Sequence, residues 1–465
     1  MAAASAPMMN DKREIFGWTM YDWANSAFST TVITVFLGPY LTSIAEAAAD
    51  ANGFIRVLGF AVRFDSFFTY CVSASVLLQV FFLPILGAIA DYSHLRKRML
   101  QIFAVLGSLS ALLMFFIVPG QHLFGGLLLI LGNLSFGASI VFYNAYLPDI
   151  ASADRQDQVS SAGFAMGYAG GGLLLVLNLV LYLFGDSLGL STALVARISL
   201  ASAGVWWLGF SLITFRALRP RHAIRQLPPG ENLLSIGFKQ LGSTFREIRR
   251  FPQTVRYLLA YLFFNDGIQT VIVISAVFAA EELGMEATSR ILVILMIQIV
   301  AFGGAYFYGW LAGRIGALRA LITSLVIWSV VTVYAFAGMR STALVLGMPQ
   351  RELEFWLLAF VVAIILGGSQ ALSRSLFARM IPPGREAEFF SFYEVSERGT
   401  SWMGPFLFAR VNDLTSSLRY GILSIIVLFI VGLGILLTVN VPRAIAEAGR
   451  TPAEPAEALA VAGAD

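Results

Sequence analysis

The stretch Gly87-Ala88-Ile89-Ala90-Asp91-Tyr92-Ser93-His94-Leu95-Arg96-Lys97-Arg98 separates two long apolar runs with an acid, a short polar turn and three bases. The runs on either side, near 66–90 and 99–118, each match the roughly 20 apolar residues that a helix needs to cross a hydrocarbon core. A second stretch, Gly309-Trp310-Leu311-Ala312-Gly313-Arg314-Ile315-Gly316-Ala317-Leu318-Arg319, lies in the same way between runs near 290–312 and 317–338. Both place a glycine four residues ahead of a sharp turn, with bases following. The glycine lets two helices approach closely, while Asp91 can cap and pair at helix ends.

Working outward with the same length rule gives first-half segments near 16–45, 66–90, 99–118, 123–147, 161–185 and 196–216. The second half gives 254–280, 290–312, 317–338, 354–382, 389–411 and 420–440. The composition agrees: 58% of the 465 residues are hydrophobic and 13% charged, and the mean hydropathy is +0.77. Soluble domains carry about 25% charged residues, so this chain cannot cover a water-facing surface. The alternating segments of about ten residues that mark a membrane β-barrel are absent. The expected class is an all-α membrane protein of twelve transmembrane helices in two six-helix bundles.

The domains follow as an N-terminal segment 1–15, bundles 16–216 and 254–440, a linker 217–253 and a disordered tail 441–465. The linker carries Pro220, Pro228, Pro229 and Gly230, then an amphipathic segment from Leu233 to Ile248 suited to an inner membrane surface. Placing the N-terminus inside puts about 21 of the 31 Lys and Arg on the cytoplasmic side and about 8 on the other. Both termini are therefore expected in the cytoplasm, with the protein in a cell inner membrane. The first apolar run is longer than the roughly 7–15 residues of a signal peptide core and contains Asp22 and Asn25, so it reads as a retained helix.

The paired loops, the twelve spans and the basic linker resemble the major facilitator superfamily, whose loop signature runs G-x-x-x-D-(R/K)-x-G-R-(R/K). Tyr92 stands in place of the first base and Gly313 in place of the second acid. Longer strings narrow the resemblance. They are Tyr21-Asp22-Trp23-Ala24-Asn25-Ser26-Ala27-Phe28, Tyr143-Asn144-Ala145-Tyr146-Leu147-Pro148, Gly163-Phe164-Ala165-Met166-Gly167-Tyr168 and Gly368-Ser369-Gln370-Ala371-Leu372-Ser373-Arg374. Together they look like the vacuole effluxer-like branch, with its fungal autophagy-related vacuolar transporters and bacterial relatives. That resemblance implies secondary transport and, from the fungal members, amino-acid export. It also implies that the first, fourth, seventh and tenth helices line a central cavity, which Asp22, Asn144, Asp266 and Arg374 would surround.

A charge at the bilayer centre costs about 2.5–3.5 kcal/mol, so each intramembrane polar group asks for a reason. Asp22, Asn25, Ser26 and Ser29 form one stripe of the first span, facing a cavity or a gate. Asn265 and Asp266 lie near the middle of the seventh span, with no base within a turn, which suits Asp266 to reversible protonation or to hydrogen bonds from Asn265 and backbone. On the tenth span Gln370 and Arg374 share a face, as do Tyr393 with Glu397 and Glu394 with Arg398 on the eleventh. Two readings stand for this ionic centre: a neutral network between the two helices, or an Arg374 that binds a substrate carboxylate. If Glu394 and Glu397 satisfy Arg374 and Arg398, Asp22 and Asp266 are left uncompensated. The expected cavity residues are thus Asp22, Asn25, Asn144, Asn265, Asp266, Gln370, Arg374 and Glu397. Asp22, Asp266, Glu394 and Glu397 are candidates for carrying protons. Gly87, Asp91, Arg96, Arg398, Gly309 and Arg314 are expected to gate or pack. Asn133 and Gln298 read as interhelical hydrogen-bonding residues.

One cysteine, Cys71, excludes an intrachain disulfide, and His94, His122 and His222 read as scattered loop residues. Gly170-Gly171-Gly172 and Gly303-Gly304 lack the Lys-Ser/Thr of a nucleotide loop and read as close-packing points. Asp149, Asp154 and Asp157 leave a membrane enzyme using Mg²⁺ as the different-class alternative. No catalytic residue, cofactor, metal or nucleic-acid partner is expected. The reading is a monomeric transporter of a small solute, an amino acid first and a drug or organic anion second, with protons as candidate coupling ion.

Overall fold

A computed structural model describes residues 9–92, 95–221, 239, 250–345, 347–398 and 402–450. The first half contains α1 (Lys12–Glu46), a hairpin of β1 (Phe54–Val57) and β2 (Phe60–Arg63), then α2 (Phe64–Asp91), α3 (Arg96–Phe116), α4 (His122–Ile150), α5 (Gln156–Phe184) and α6 (Thr192–Ala217). The second half contains α7 (Pro252–Glu282), α8 (Ser289–Ile315), α9 (Ala317–Ala337), a short hairpin of β3 (Leu344–Val345) and β4 (Met348–Pro349), and α10 (Gln350–Arg379). It closes with α11 (Glu386–Arg398), α12 (Met403–Thr415), α13 (Leu418–Leu437) and α14 (Val441–Glu447).

Eleven of these helices are long and apolar enough to cross a membrane. The eleventh expected span, 389–411, covers parts of α11 and α12, with residues 399–401 between them outside the described residues. Gly404, in the first turn of α12, donates its N–H sideways to Asp266 at 2.8 Å, and Pro405 has none to donate. The chain folds as an all-α bundle in which the other eleven expected spans are each a continuous helix at the expected place.

Three sequence boundaries are corrected. Helix α1 begins at Lys12, inside the expected N-terminal segment 1–15, because the Asp11 side chain caps it by accepting from the Arg13 N–H. His122 opens α4 rather than lying in a loop. The tail is ordered at its start: Asn440 caps α14, Ala444 and Ile445 are buried, and Arg450 donates to the Ile381 carbonyl at 2.6 Å. The linker segment Leu233–Ile248, apart from Lys239, lies outside the described residues, as do His94, His222 and the tail beyond Arg450.

The two halves meet where α2 packs on α11 and where α5 packs on α8 and α10. Both loop glycines lie at these seams. A Cβ on Gly87 would stand 2.5 Å from the Ala387 carbonyl oxygen, and one on Gly309 would stand 2.7 Å from the Ser161 hydroxyl. The α8–α9 turn is a single residue, Gly316, at φ +88°, a conformation that a side chain would oppose. Gly170 and Gly304 pack against Trp23 and Ile364 respectively, inside continuous helices.

Candidate functional site

A cavity of about 510 Å³ lies between the halves, lined from α1, α4, α5, α7, α8, α10, α11 and the start of α12. In α1 the backbone loosens to i→i+5 hydrogen bonding over Phe28–Phe36, where the Thr34 hydroxyl also donates to the Ser29 carbonyl at 2.9 Å. Such widened turns are common at functional sites. Here they carry Ser29, Thr30 and Thr34 of the α1 lining. The lining runs from Asp22 and Arg374 toward Thr34 and Val273, both exposed, so the cavity opens away from the end of the bundle that holds the two chain termini.

At the closed side of the cavity Arg374, 3% exposed, reaches from α10 into the first half. Its Nη1 donates to Asp22 Oδ2 at 3.2 Å and to Asn144 Oδ1 at 3.3 Å. Its Nε donates to Ser160 Oγ at 2.9 Å and its Nη2 to the Ser160 carbonyl at 2.8 Å. Phe164, Trp18 and Tyr143 surround the guanidinium at 4.2, 4.8 and 5.5 Å from their ring centres. Tyr143 donates to the same Asp22 oxygen at 2.7 Å, and Trp18 donates to the Tyr143 carbonyl at 2.9 Å. A bidentate-capable arginine in a dry aromatic cage keeps its charge through such hydrogen bonds. All of these partners belong to the first half, so Arg374 is a bolt between the halves.

This overturns the expected pairing. Asp22 is compensated by Arg374, not left over, because the Arg374 side chain reaches across the seam to α1. Glu394 pairs with Arg398 on its own helix at 3.3 Å and accepts from Asn144 Nδ2 at 3.0 Å. Asn144 therefore touches Arg374 with its oxygen and Glu394 with its nitrogen. Glu397 accepts from the Tyr261 hydroxyl at 2.9 Å, and Tyr261 stacks on Tyr393 at 4.2 Å. Gln370 accepts from Tyr168 at 2.8 Å across the seam. Asn25 and Gln298 both line the cavity. Asn133 instead donates to Ser75 at 2.7 Å inside the first half.

Asp266, 1% exposed, has no ion-pair partner among the described residues. Its Oδ2 takes the Gly404 N–H at the start of α12, and its Oδ1 is buried without a hydrogen bond. A carboxylate at a helix N-terminus complements the free N–H groups there. Asn265 points its amide to the Glu397 carbonyl at 3.5 Å rather than to Asp266.

The end holding the chain termini is sealed by a second network. Asp91 accepts from the Ala387 and Glu388 N–H groups at 3.1 and 2.8 Å, so an acid of the first half caps a helix of the second. Arg96 joins Asp91, Asp149 and Glu386 at 2.9, 2.7 and 3.1 Å. Glu386 also takes Arg450 at 3.0 Å. On the other seam Asp157 of α5 binds Ser375 and Arg379 of α10, both at 2.6 Å. Asp157 thus supplies the acid that Gly313 lacks. Arg314 is no part of this seal: it is exposed and lies over Trp310 of its own helix at 5.0 Å. Asp149 and Asp157 are held in separate ion pairs rather than gathered in a metal cluster.

A family model described as "Vacuole effluxer Atg22 like" matches residues 10–449. The chain belongs to this family. It is 33% identical over 426 residues to the uncharacterized MFS-type transporter YxiO of Bacillus subtilis, covering 90% of this chain and 93% of that protein. It is 25% identical to autophagy-related protein 22-1 of Penicillium rubens, covering 93% and 90%. The fold matches the proton:xylose symporter XylE with a TM-score of 0.71 at 12% identity, covering 96% and 98% of the chains. It matches a bacterial homologue of the iron transporter ferroportin, in an outward-facing state, with a TM-score of 0.64 at 14% identity, covering 92% and 99%. This vacuole effluxer-like protein is a multi-pass membrane transporter, not an enzyme.

Sequence reasoning missed Ser160, Trp18, Tyr143, Phe164 and Tyr261. Tyr143 and Phe164 stood inside quoted strings, but nothing in their spacing pointed to an arginine 210 or more positions away. For Tyr261 a signal existed: it lies on the same face of α7 as Asn265, one turn away.

Proposed function

We propose that this effluxer-like transporter exports amino acids across a cell inner membrane by alternating access, with protons as the coupling ion. It works as a monomer with both termini in the cytoplasm, the side on which the Lys and Arg count is highest. The observation that carries the reading is the polar cavity between the halves, sealed toward the termini by Asp91, Arg96 and Glu386 and bolted by Arg374 to Asp22 and Ser160. Its volume falls within the roughly 300–1,000 Å³ of small-solute sites. Its hydroxyls, amides and paired charges suit a small zwitterion better than an apolar drug.

The cycle follows from which bonds cross the seam. In the state seen here the terminal side is shut. Opening it requires Arg374 to leave its cage and Asp91 to release α11, so a solute that offers groups to both halves lowers the cost of that exchange. We assign proton exchange in the same step to Asp266, which no cation among the described residues holds, and to Glu397, which is half-buried on the cavity wall.

The test is thermal unfolding of the purified protein with single amino acids at saturating concentration. Binding to the folded state at about 100 times Kd adds about 2.7 kcal/mol, a readable rise in Tm. Stabilisation by at least one amino acid, lost in Arg374→Ala, supports the reading. No stabilisation by any of them, with organic anions or sugars effective instead, refutes it.

A further inference from the structure

The wall that α1 gives to the cavity is uncharged beyond Asp22 and carries Asn25, Ser26, Ser29, Thr30 and Thr34. Three of its hydroxyls have already spent their protons. Ser29 donates to the Ser26 carbonyl at 3.1 Å, Thr30 to the same carbonyl at 2.8 Å, and Thr34 to the Ser29 carbonyl at 2.9 Å. A hydroxyl has one proton and two lone pairs, so each of the three offers the cavity an acceptor. The widened turns group them. In an α-helix, residues five apart point about 140° away from each other. Over Phe28–Phe36 the i→i+5 bonding brings Thr34 back over Ser29, as its bond to the Ser29 carbonyl records. Ser29 and Thr30 are half-buried and Thr34 is exposed, so all three are open to a solute in the cavity.

One turn toward Arg374 the wall changes character. Asn25 is 3% exposed, and its Nδ2 has no hydrogen-bond partner among the described residues. Such an orphaned donor is uncommon in a folded protein, and this one belongs to a cavity-lining side chain. A donor therefore stands at one level of α1 and a group of acceptors at the next, about 6 Å along the axis. An ammonium has only protons to give and a carboxylate only lone pairs. The head group of an α-amino acid holds the two one carbon apart, and with a hydrogen bond of about 2.9 Å at each end it spans that rise.

We infer that α1 reads the head group of the solute: Asn25 Nδ2 donates to the α-carboxylate, and the Ser29, Thr30 and Thr34 hydroxyls accept from the α-ammonium. The inference rests on the amino-acid reading above and deepens it by giving the head group a place and a direction. The carboxylate points toward Arg374 and the ammonium toward the open end of the cavity. The solute's side chain is left to the walls of the other helices. A molecule that lacks either end of the zwitterion leaves one level of α1 unserved and binds more weakly.

The experiment measures Kd on the purified full chain for alanine, leucine and glutamine. Each is compared with its α-carboxamide, which lacks the carboxylate, and its α-hydroxy acid, which lacks the ammonium. The inference expects each amino acid to bind at least about tenfold more tightly than either analogue. In Thr30→Val, which removes the hydroxyl at nearly constant volume, the preference over the hydroxy acid falls toward one while the preference over the carboxamide stays. In Asn25→Leu the reverse holds. A merely structural role for these side chains would weaken all three ligands alike, and that result, or unchanged preferences in the folded variants, overturns the assignment to α1. Ser29→Ala takes the place of Thr30→Val should the latter fail to fold. Analogues that bind the native protein as tightly as the amino acids overturn the inference and leave the amino-acid reading standing. Binding of none of the three amino acids overturns both.

Discussion

Replacing Gly87 by alanine tests the seal at the terminal side with a single methyl group. The added Cβ would lie 2.5 Å from the Ala387 carbonyl oxygen, 2.9 Å from its carbon and 3.1 Å from Glu388 Cα. These are backbone atoms, so no rotamer can relieve the contact. Ordinary carbon–oxygen contact requires about 3.3 Å, so α11 must retreat by roughly 0.8 Å. The Asp91 bonds to Ala387 and Glu388, now 3.1 and 2.8 Å, would then stretch beyond hydrogen-bonding range. Each bond to a charged group is worth about 1.5–3 kcal/mol, and water recovers part of it once the seam parts. A net loss of about 2–4 kcal/mol from the closed state remains, which is roughly a 30- to 1,000-fold shift toward opening on that side. Spin labels at Arg98→Cys and Arg319→Cys, two exposed positions of opposite halves, report it in a Cys71→Ala background, since Cys71 is the sole cysteine. Native protein should give one distance population, and Gly87→Ala a second, longer one that dominates. Gly209→Ala, where a Cβ meets nothing within 4 Å, is the control. An unchanged distance distribution in folded Gly87→Ala refutes the reasoning.

Arg374→Lys keeps the charge but cannot serve Ser160, Asn144 and Asp22 at once; transport in reconstituted vesicles should fall at least about 100-fold while far-UV circular dichroism stays native. Asp266→Asn keeps an oxygen for the Gly404 N–H but removes the proposed proton site. Solute exchange should persist while the response of flux to an imposed pH gradient disappears, as read by a pH-sensitive dye in the vesicle lumen. Arg450→Ala removes one of two arginines on Glu386 and leaves Arg96 in place. The Arg98–Arg319 label pair should then show a modest longer population, well short of that in Gly87→Ala.

What could be read from the sequence follows from what a local pattern can encode. Long apolar runs report the membrane directly, so every span of the first half and nearly every one of the second was legible. The two loop glycines were legible too, because close helix approach leaves no alternative residue. The bond from the Gly404 N–H to Asp266 joins positions 138 apart, which no local pattern encodes. The Asp22–Arg374 bolt spans 352 positions and was missed for the same reason. Helical spacing pairs residues three or four apart and so assigned Arg374 to the acids of the next helix. The first half supplied the partners, through Ser160, Asn144 and an aromatic cage that no periodicity announces. Gly313 was seen as the missing acid of the second loop; that Asp157 of α5 replaces it could be learned only from the packing.

Counterflow of a pooled panel of labelled amino acids, in proteoliposomes with and without a pH gradient, tests the central claim most directly. The account predicts saturable exchange that responds to the gradient and is abolished in Arg374→Ala. Well-folded protein that exchanges no amino acid under either condition would contradict it.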